Sequence, residues 1–332
     1  MTEKMMKASD VGAEIYYLLR ADYLQKIPYG NEYAVTVTQD PIMNTHGLRE
    51  DHIAFRSFYC PMGEIPQGIA SIERIFGVLG WKRGRDKDGK EYNYDFPNMH
   101  VRAIHLEYPE DRPDLPKMFV SELIVDQLDP ADGDKIKADL ADCKDPLTAE
   151  DRDWLQRLSK GETIPQARGM ELVARAYKAL HRPWLPPHRS TVLQTNQRNQ
   201  YAPWTLLNGT MNHIAYLTND VAATAEGHKN VGRELLPKIQ GSKEVGLLQT
   251  SVRSPMFDFE VTEDEEGNKV EAGVFDFEVR EADGSIGRIR WTGPFAELIE
   301  RPLNPDGTRY EAFLADNAAH IFAATRNKEA AS

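Results

Sequence analysis

Two histidines of this chain sit in nearly the same local wording. In EDHIAFRSF, residues 50–58, the triplet His52-Ile53-Ala54 precedes an aromatic residue, and it returns as His213-Ile214-Ala215-Tyr216 inside MNHIAYLT. Both stretches have the β-branched and aromatic content of strands. Alternate strand residues share a face, so His52, Ala54 and Arg56 point one way while Ile53 and Phe55 point the other. His213 and Ala215 pair up likewise, and a face of His and Arg with a small residue between them suits a ligand cavity. A second echo, Glu122-Leu123-Ile124 and Glu297-Leu298-Ile299, adds a carboxylate to each copy. Brought together, two histidines and one or two glutamates match a two-His-one-carboxylate site, whose donors fill one face of an octahedral cation and leave positions open for substrate and dioxygen. Non-haem Fe(II) is the first choice for that cation, with Mn(II) or Zn(II) behind it.

The two echoes come in the same order, 70 residues apart in the first copy and 84 in the second. The acidic, glycine-containing stretch VTEDEEGNKVEAG is about as long as the excess, so a surface hairpin extension accounts for it. Around the echoes the elements also match. A helix over VGAEIYYLLRADYLQKI precedes the strand DHIAFRSF, the helix GIASIERIFGVLGW, a turn at Asp88-Gly89 and the strands YNYDF, HVRAIHLEY and KMFVSELIV. Later, MNHIAYLT, a helix over DVAATAEGHKNVGRELLPKI, the strands EVGLLQTSVR, FDFEV and GVFDFEV, and the strand PFAELIER repeat that order, with a last helix in YEAFLADNAAHIFAAT. The predicted organisation is α+β: residues 1–128 form an N-terminal helix and a first βαβββ module, 129–200 a helical insertion with a proline-rich connector, and 201–332 a second module with a C-terminal helix. Thr148 is placed to cap a helix of the insertion, and HRPWLPPHRS to end its helices in extended chain.

Composition narrows the function. Of 332 residues 41% are hydrophobic and 28% charged, an ordinary globular balance, and the formal net charge of -12 opposes a nucleic-acid partner. The cluster Arg182, His188, Arg189 and Arg198 reads as part of the connector. No apolar run approaches the ~20 residues of a membrane span, so a cytoplasmic protein without membrane contact is expected. Cys60 and Cys143 lack metal or redox spacing and are expected to be buried or idle thiols.

The repeated modules resemble the vicinal oxygen chelate superfamily. Within it, DHIAFRSF, FPNMHVRAIHLEYPEDRPDLPKMFVSELIVDQLDP, GLLQTSV and TGPFAELIERP resemble the 2-oxoadipate dioxygenase/decarboxylase family, also called hydroxyglutarate synthases, from Ala21 to Pro302. The resemblance implies that the two modules form a partly closed β-barrel-like cavity. It implies an Fe(II) enzyme that uses dioxygen to convert 2-oxoadipate to 2-hydroxyglutarate and carbon dioxide, a step of lysine breakdown. Carried over by motif, its metal ligands are His52, His213 and Glu297, and its substrate-gripping arginine is Arg56. The block NHIAYLTND departs from the Thr-Pro-Arg-like run that relatives often carry after NH.

Repeat symmetry makes Glu122 a partner that orients His52, a fourth ligand, or a vestige of duplication, whereas Glu300 falls on the opposite strand face from Glu297. His100 and His105 cannot share a face, and neither is expected to be a ligand. His181 and His188 are expected at the surface. Two other functions fit the residues: a metal-dependent isomerase or lyase using Glu122 as ligand or base, and a non-catalytic small-ligand binding protein. Nothing in the sequence sets the oligomeric state.

Overall fold

The computed structural model describes residues 3–26, 49–230, 239–242, 247–252, 259–263, 269–293, 295–303, 307 and 309–313. Strand β1 (Met5–Met6) and helix α1 (Ala8–Lys26) lead to β2 (Arg49–Tyr59), α2 (Ile69–Phe76), β3 (Lys82–Arg83), β4 (Tyr94–Phe96), β5 (Val101–Glu107) and β6 (Lys117–Ile124). Helices α3 (Pro130–Leu140) and α4 (Ala149–Ser159), the short β7 (Ile164–Pro165), and helices α5 (Gln166–His181), α6 (Arg189–Asn196) and α7 (Tyr201–Asn208) follow. Then come β8 (Met211–Thr218), α8 (Val221–Asn230), β9 (Gln240–Ser242), β10 (Leu247–Val252), β11 (Phe259–Glu263), β12 (Lys269–Arg280), β13 (Ile286–Thr292) and β14 (Phe295–Glu300). Among the described residues no helix is long and apolar enough to cross a membrane.

Local signals account for several of these elements. Helix α2 buries Ile69, Ile72, Ile75 and Phe76 on one side, the three-to-four spacing of IASIERIF. Thr148 caps α4 in a full capping box with Asp151. At the Asp88-Gly89 turn, Gly89 takes φ 81 and the Asp86 carboxylate accepts the N–H groups of Asp88 and Lys90. Pro183, Pro186 and Pro187 follow the end of α5, yet two helices form beyond them where an extended connector was expected. Val192, Trp204 and Leu207 of these helices pack against Val279, Ile289 and Trp291, so tertiary burial decides their conformation. Most of the expected C-terminal helix, and residues 231–238 of the helix expected over 220–239, lie outside the described residues.

Nine strands form one mixed sheet in the order β3-β5-β6-β2-β8-β14-β10-β9, with β4 also on β5. Strands β2 and β8 pair antiparallel at its centre, and each has the last strand of its own half beside it in parallel, β6 on β2 and β14 on β8. The strand order therefore reads alike outward from the central pair. No closed barrel forms among the described strands: the sheet ends on β3 and β9, two and three residues long, and strands that short offer little edge to pair. The second half also differs from expectation, because β11, β12 and β13 form a separate three-stranded antiparallel sheet. On one side of the large sheet Ile53, Phe55, Met118, Val120, Ile214 and Leu298 pack against helices α1, α2 and α5. On the other, Ala54, Phe58, Phe119 and Leu123 pack with Trp184, Tyr201 and Phe313, and this is the side of His52 and Arg56.

Cross-strand register corrects the pairing of the two Glu-Leu-Ile echoes. Glu122 lies opposite Ser57, five residues beyond His52, and Glu300 lies opposite Thr218, five beyond His213. Glu122 thus corresponds to Glu300, while Glu297, opposite Ala215, corresponds to Phe119, opposite Ala54. An offset of three residues puts the echoing glutamates on opposite faces. The two corresponding carboxylates do the same work. Glu122 accepts the N–H of Ile69 at 2.6 Å and Glu300 that of Val221 at 2.9 Å, the first residues of α2 and α8. Glu122 also pairs with Arg102, so both its oxygens are engaged on the helix side of the sheet, away from His52. Replacing Glu122 by Ala leaves the Ile69 N–H without its acceptor. The variant is expected to lose about 2 kcal/mol of stability in denaturant unfolding while binding a divalent metal like the unaltered protein.

Candidate metal centre

His52 on β2, His213 on β8 and Glu297 on β14 stand on three adjacent strands and face the same side. Ala215 lies between His52 and Glu297 in the cross-strand register, and Ala54 lies beside His213. These small side chains leave room for the larger ones to converge. The two Nε2 atoms are 3.1 Å apart, Glu297 Oε2 is 3.4 Å from His213 Nε2 and 4.0 Å from His52 Nε2, and one donor atom from each residue lies within 4.8 Å of the others.

Two irregularities in the β2–β8 pairing aim the groups behind these rings. The register shifts between Glu50 and His52, leaving Asp51 as an extra residue on β2, and again between Ala54 and Phe55, leaving Asn212 as an extra residue on β8. A bulge turns a side chain away from plain alternation. Asp51 Oδ2 consequently lies 2.9 Å from Nδ1 of His52, and the Asn212 amide lies 3.0 Å from Nδ1 of His213. A carboxylate only accepts, so His52 carries its proton on Nδ1 and keeps the Nε2 lone pair for the centre. The amide nitrogen of Asn212 is the atom placed towards His213, while Oδ1 has no hydrogen-bond partner among the described residues; with the amide turned so that Oδ1 accepts, Asn212 does the same for His213.

Asp51 is itself held by Arg301, whose Nε and Nη2 donate to its two oxygens at 2.8 and 2.9 Å. Burial alone would raise the Asp51 carboxyl, but Arg301 and His52 outweigh it and hold the group well below the usual carboxylate range. Arg301 Nη1 also donates to the carbonyls of Tyr310 and Ala312. It thereby ties down a strap, residues 310–313, that Lys117 grips through the carbonyl and carboxylate of Glu311. The strap lays the Phe313 ring edge-on to His52 at 4.7 Å between centroids.

The three donors fit a cation. Burial lowers the pKa of His52, despite Asp51, and lowers that of His213 well below its ordinary value, with His52 and Arg56 adding to the effect. Both rings are therefore neutral. Burial, reinforced by the negative charge of Asp51, pushes the Glu297 carboxyl up to about 8. Glu297 Oε1 is buried with no hydrogen-bond partner among the described residues. Two neutral imidazoles with converging lone pairs and a carboxylate deprived of water are satisfied together by a divalent ion. Donors about 2.1 Å from a shared ion at right angles stand about 3 Å apart, as the imidazole nitrogens do.

Arg56 projects from β2 on the same side as His52. It is 0% exposed, and its guanidinium carbon lies 4.4 Å from the centroid of the Trp204 ring and 5.1 Å from that of Tyr201. Burial pushes its pKa down to about 10, leaving it charged at neutral pH. Glu122 is not part of the group. His105 is buried between Tyr94 and Glu107, and His100 ends the short turn before β5. His181 and His188 are partly exposed beside Asp22 and Asp139. Both cysteines are buried thiols, with Cys60 pushed up to about 12 and Cys143 to about 11, which removes them as nucleophiles. Sequence reasoning missed Asp51, Asn212, Arg301 and Phe313. Only the first two left a signal, a polar residue directly before each HIA triplet.

Two outcomes are expected from metal binding. Below pH 8 the ion displaces the Glu297 proton, so apparent affinity rises with pH up to about 8 and about one proton is released per ion at neutral pH, measurable by calorimetry in buffers of different ionisation enthalpy. Asp51→Asn, which weakens the orientation of His52, lowers Co(II) affinity about 10- to 100-fold in the same titration.

Comparisons with known proteins bear on the family and the fold. The family model described as 2-oxoadipate dioxygenase/decarboxylase matches residues 30–286. A chloroplastic 2-oxoadipate dioxygenase/decarboxylase of Arabidopsis thaliana is 24% identical over 212 residues, 60% of this chain and 48% of the relative, so the chain spans about half the length of that relative. Among solved structures, a glyoxalase-superfamily protein from Ralstonia eutropha superposes with a TM-score of 0.76 at 21% identity, over 94% of this chain and 88% of that one. The hydroxyglutarate synthase of Oryza sativa, solved in complex with 2-oxoadipate, gives 0.64 at 20% identity, over 96% and 93%. With the family model covering most of its length, the chain belongs to the 2-oxoadipate dioxygenase/decarboxylase family.

Proposed function

We propose that this protein is an Fe(II)-dependent dioxygenase/decarboxylase that converts 2-oxoadipate and dioxygen to 2-hydroxyglutarate and carbon dioxide, a step of lysine breakdown. The observation that carries the reading is the convergence of His52, His213 and Glu297, all three buried, in a chain of this family. The atoms balance: the six-carbon oxo acid takes up one dioxygen molecule, loses one carbon as carbon dioxide and leaves a five-carbon hydroxy acid. Residues 1–128 and 201–332 are read as two halves of one catalytic unit and 129–200 as an insertion.

Bound Fe(II) would supply a Lewis acid for the 2-oxo acid and the one-electron chemistry that dioxygen requires. The remaining work falls to this chain's residues. His52 and His213 offer neutral nitrogens whose orientation Asp51 and Asn212 maintain, and Glu297 offers the anionic oxygen. Arg56 pairs with a carboxylate of the substrate through its planar fork, and its cation–π contacts with Trp204 and Tyr201 restrain where that fork can point. Phe313, held by the strap, keeps water from the His52 side. The isomerase or lyase reading drew on Glu122 as ligand or base, and its hydrogen bonds to Ile69 and Arg102 favour the dioxygenase instead.

The test is oxygen uptake by Fe(II)-loaded protein against a panel of 2-oxo dicarboxylates, with carbon dioxide measured alongside. One carbon dioxide per dioxygen and a preference for 2-oxoadipate are expected, and metal-dependent turnover without oxygen would sink the reading. In the same assay Arg56→Lys, which keeps the charge and loses the fork, is expected to raise KM about 10-fold.

A further inference from the structure

The symmetry about β2 and β8 gives each group at the centre a counterpart. His52 answers His213, Ala54 answers Ala215, Asp51 answers Asn212, and Phe119 answers Glu297. Two like copies of the arrangement would deliver four donors, yet this chain delivers three. In the fourth place stands an aromatic ring, buried and on the same side of the sheet as His52. It packs against Phe313 at 5.0 Å and Tyr94 at 5.5 Å between centroids, and Phe313 in turn touches His52.

We propose that Phe119 holds the centre at three protein donors and lines the vacated side with an apolar wall, reserving it for a small apolar co-substrate such as dioxygen. The proposal rests on the reading of His52, His213 and Glu297 as metal-binding. A six-coordinate ion with three protein donors has three positions left, two for the carboxylate and keto oxygens of a 2-oxo acid and one more. A fourth protein donor would leave two, enough for the oxo acid alone. Glu297 reaches the centre from a strand parallel to β8, opposite Ala215. A glutamate at position 119 would start from the strand parallel to β2, opposite Ala54, and so would reach the same point from the other side. What distinguishes an oxygen-using centre from a saturated one is, in this chain, the identity of one side chain.

The experiment is a Co(II) titration, followed by visible absorption, of the unaltered protein, Phe119→Glu, Phe119→Leu and the double variant His52→Ala, His213→Ala. Phe119→Glu is expected to bind Co(II) about 10-fold more tightly and, loaded with Fe(II), to lose oxygen uptake with 2-oxoadipate. Phe119→Leu keeps the unaltered affinity. If the buried glutamate prevents folding, Phe119→His, which is neutral without metal, carries the same expectation, read also as a larger rise in Tm on adding Co(II). A folded Phe119→Glu or Phe119→His variant that binds Co(II) within two-fold of the unaltered protein overturns the inference and leaves the three-donor centre standing. Failure of the unaltered protein to bind Co(II), or binding retained by the double variant, overturns the metal reading and this inference with it.

Discussion

The antiparallel pairing of β2 with β8 is the contact on which the rest of the structure depends. It joins the two halves of the sheet, and both histidines sit on it, one to each strand. The two places where its register shifts put Asp51 and Asn212 behind those histidines. In a plainly alternating pair, residues 51 and 212 would face the helices, and each ring would lose the partner that sets its tautomer. The irregularities are thus part of the site and not defects of the sheet.

Charge placement follows from that pairing. Glu297 lies where burial penalises its charge, and Asp51 adds to the penalty, so the centre holds a standing preference for a cation. Asp51 itself stays ionised because Arg301 grips both its oxygens. The same arginine fastens the strap that carries Phe313, so the support of a ligand and the covering of the site share one guanidinium. Losing such a pair on one side only would leave a buried charge uncompensated, which is far more damaging than losing both together.

Parts of the first half and of the insertion were legible because they satisfy local rules: the periodicity of α2 and the turn at Asp88-Gly89 in the one, the capping box at Thr148 in the other. The histidines were legible because duplication repeated three residues and strand alternation assigned them a face. Glu122 was misread for a physical reason. An apolar triplet can recur out of register, and only hydrogen bonding between strands reveals that Glu122 matches Glu300 and not Glu297. Helices α6 and α7 and the separate sheet of β11, β12 and β13 were missed because they stabilise one another across long stretches of chain, where single-segment propensity carries little information. Arg301 and Asp51, 250 residues apart, could not be linked from sequence at all.

The distance along the chain between the two histidines also has a kinetic meaning. They are 161 residues apart, with the helical segments between them, so their strands meet only after a long loop has closed. Pairing at the centre of this sheet is therefore a long-range contact, whose loop-closure cost comes before its gain. An unfolded chain does not hold this pair of imidazoles together. Assembly of this three-donor site is thereby coupled to formation of the native sheet, so an ion bound there stabilises the folded chain.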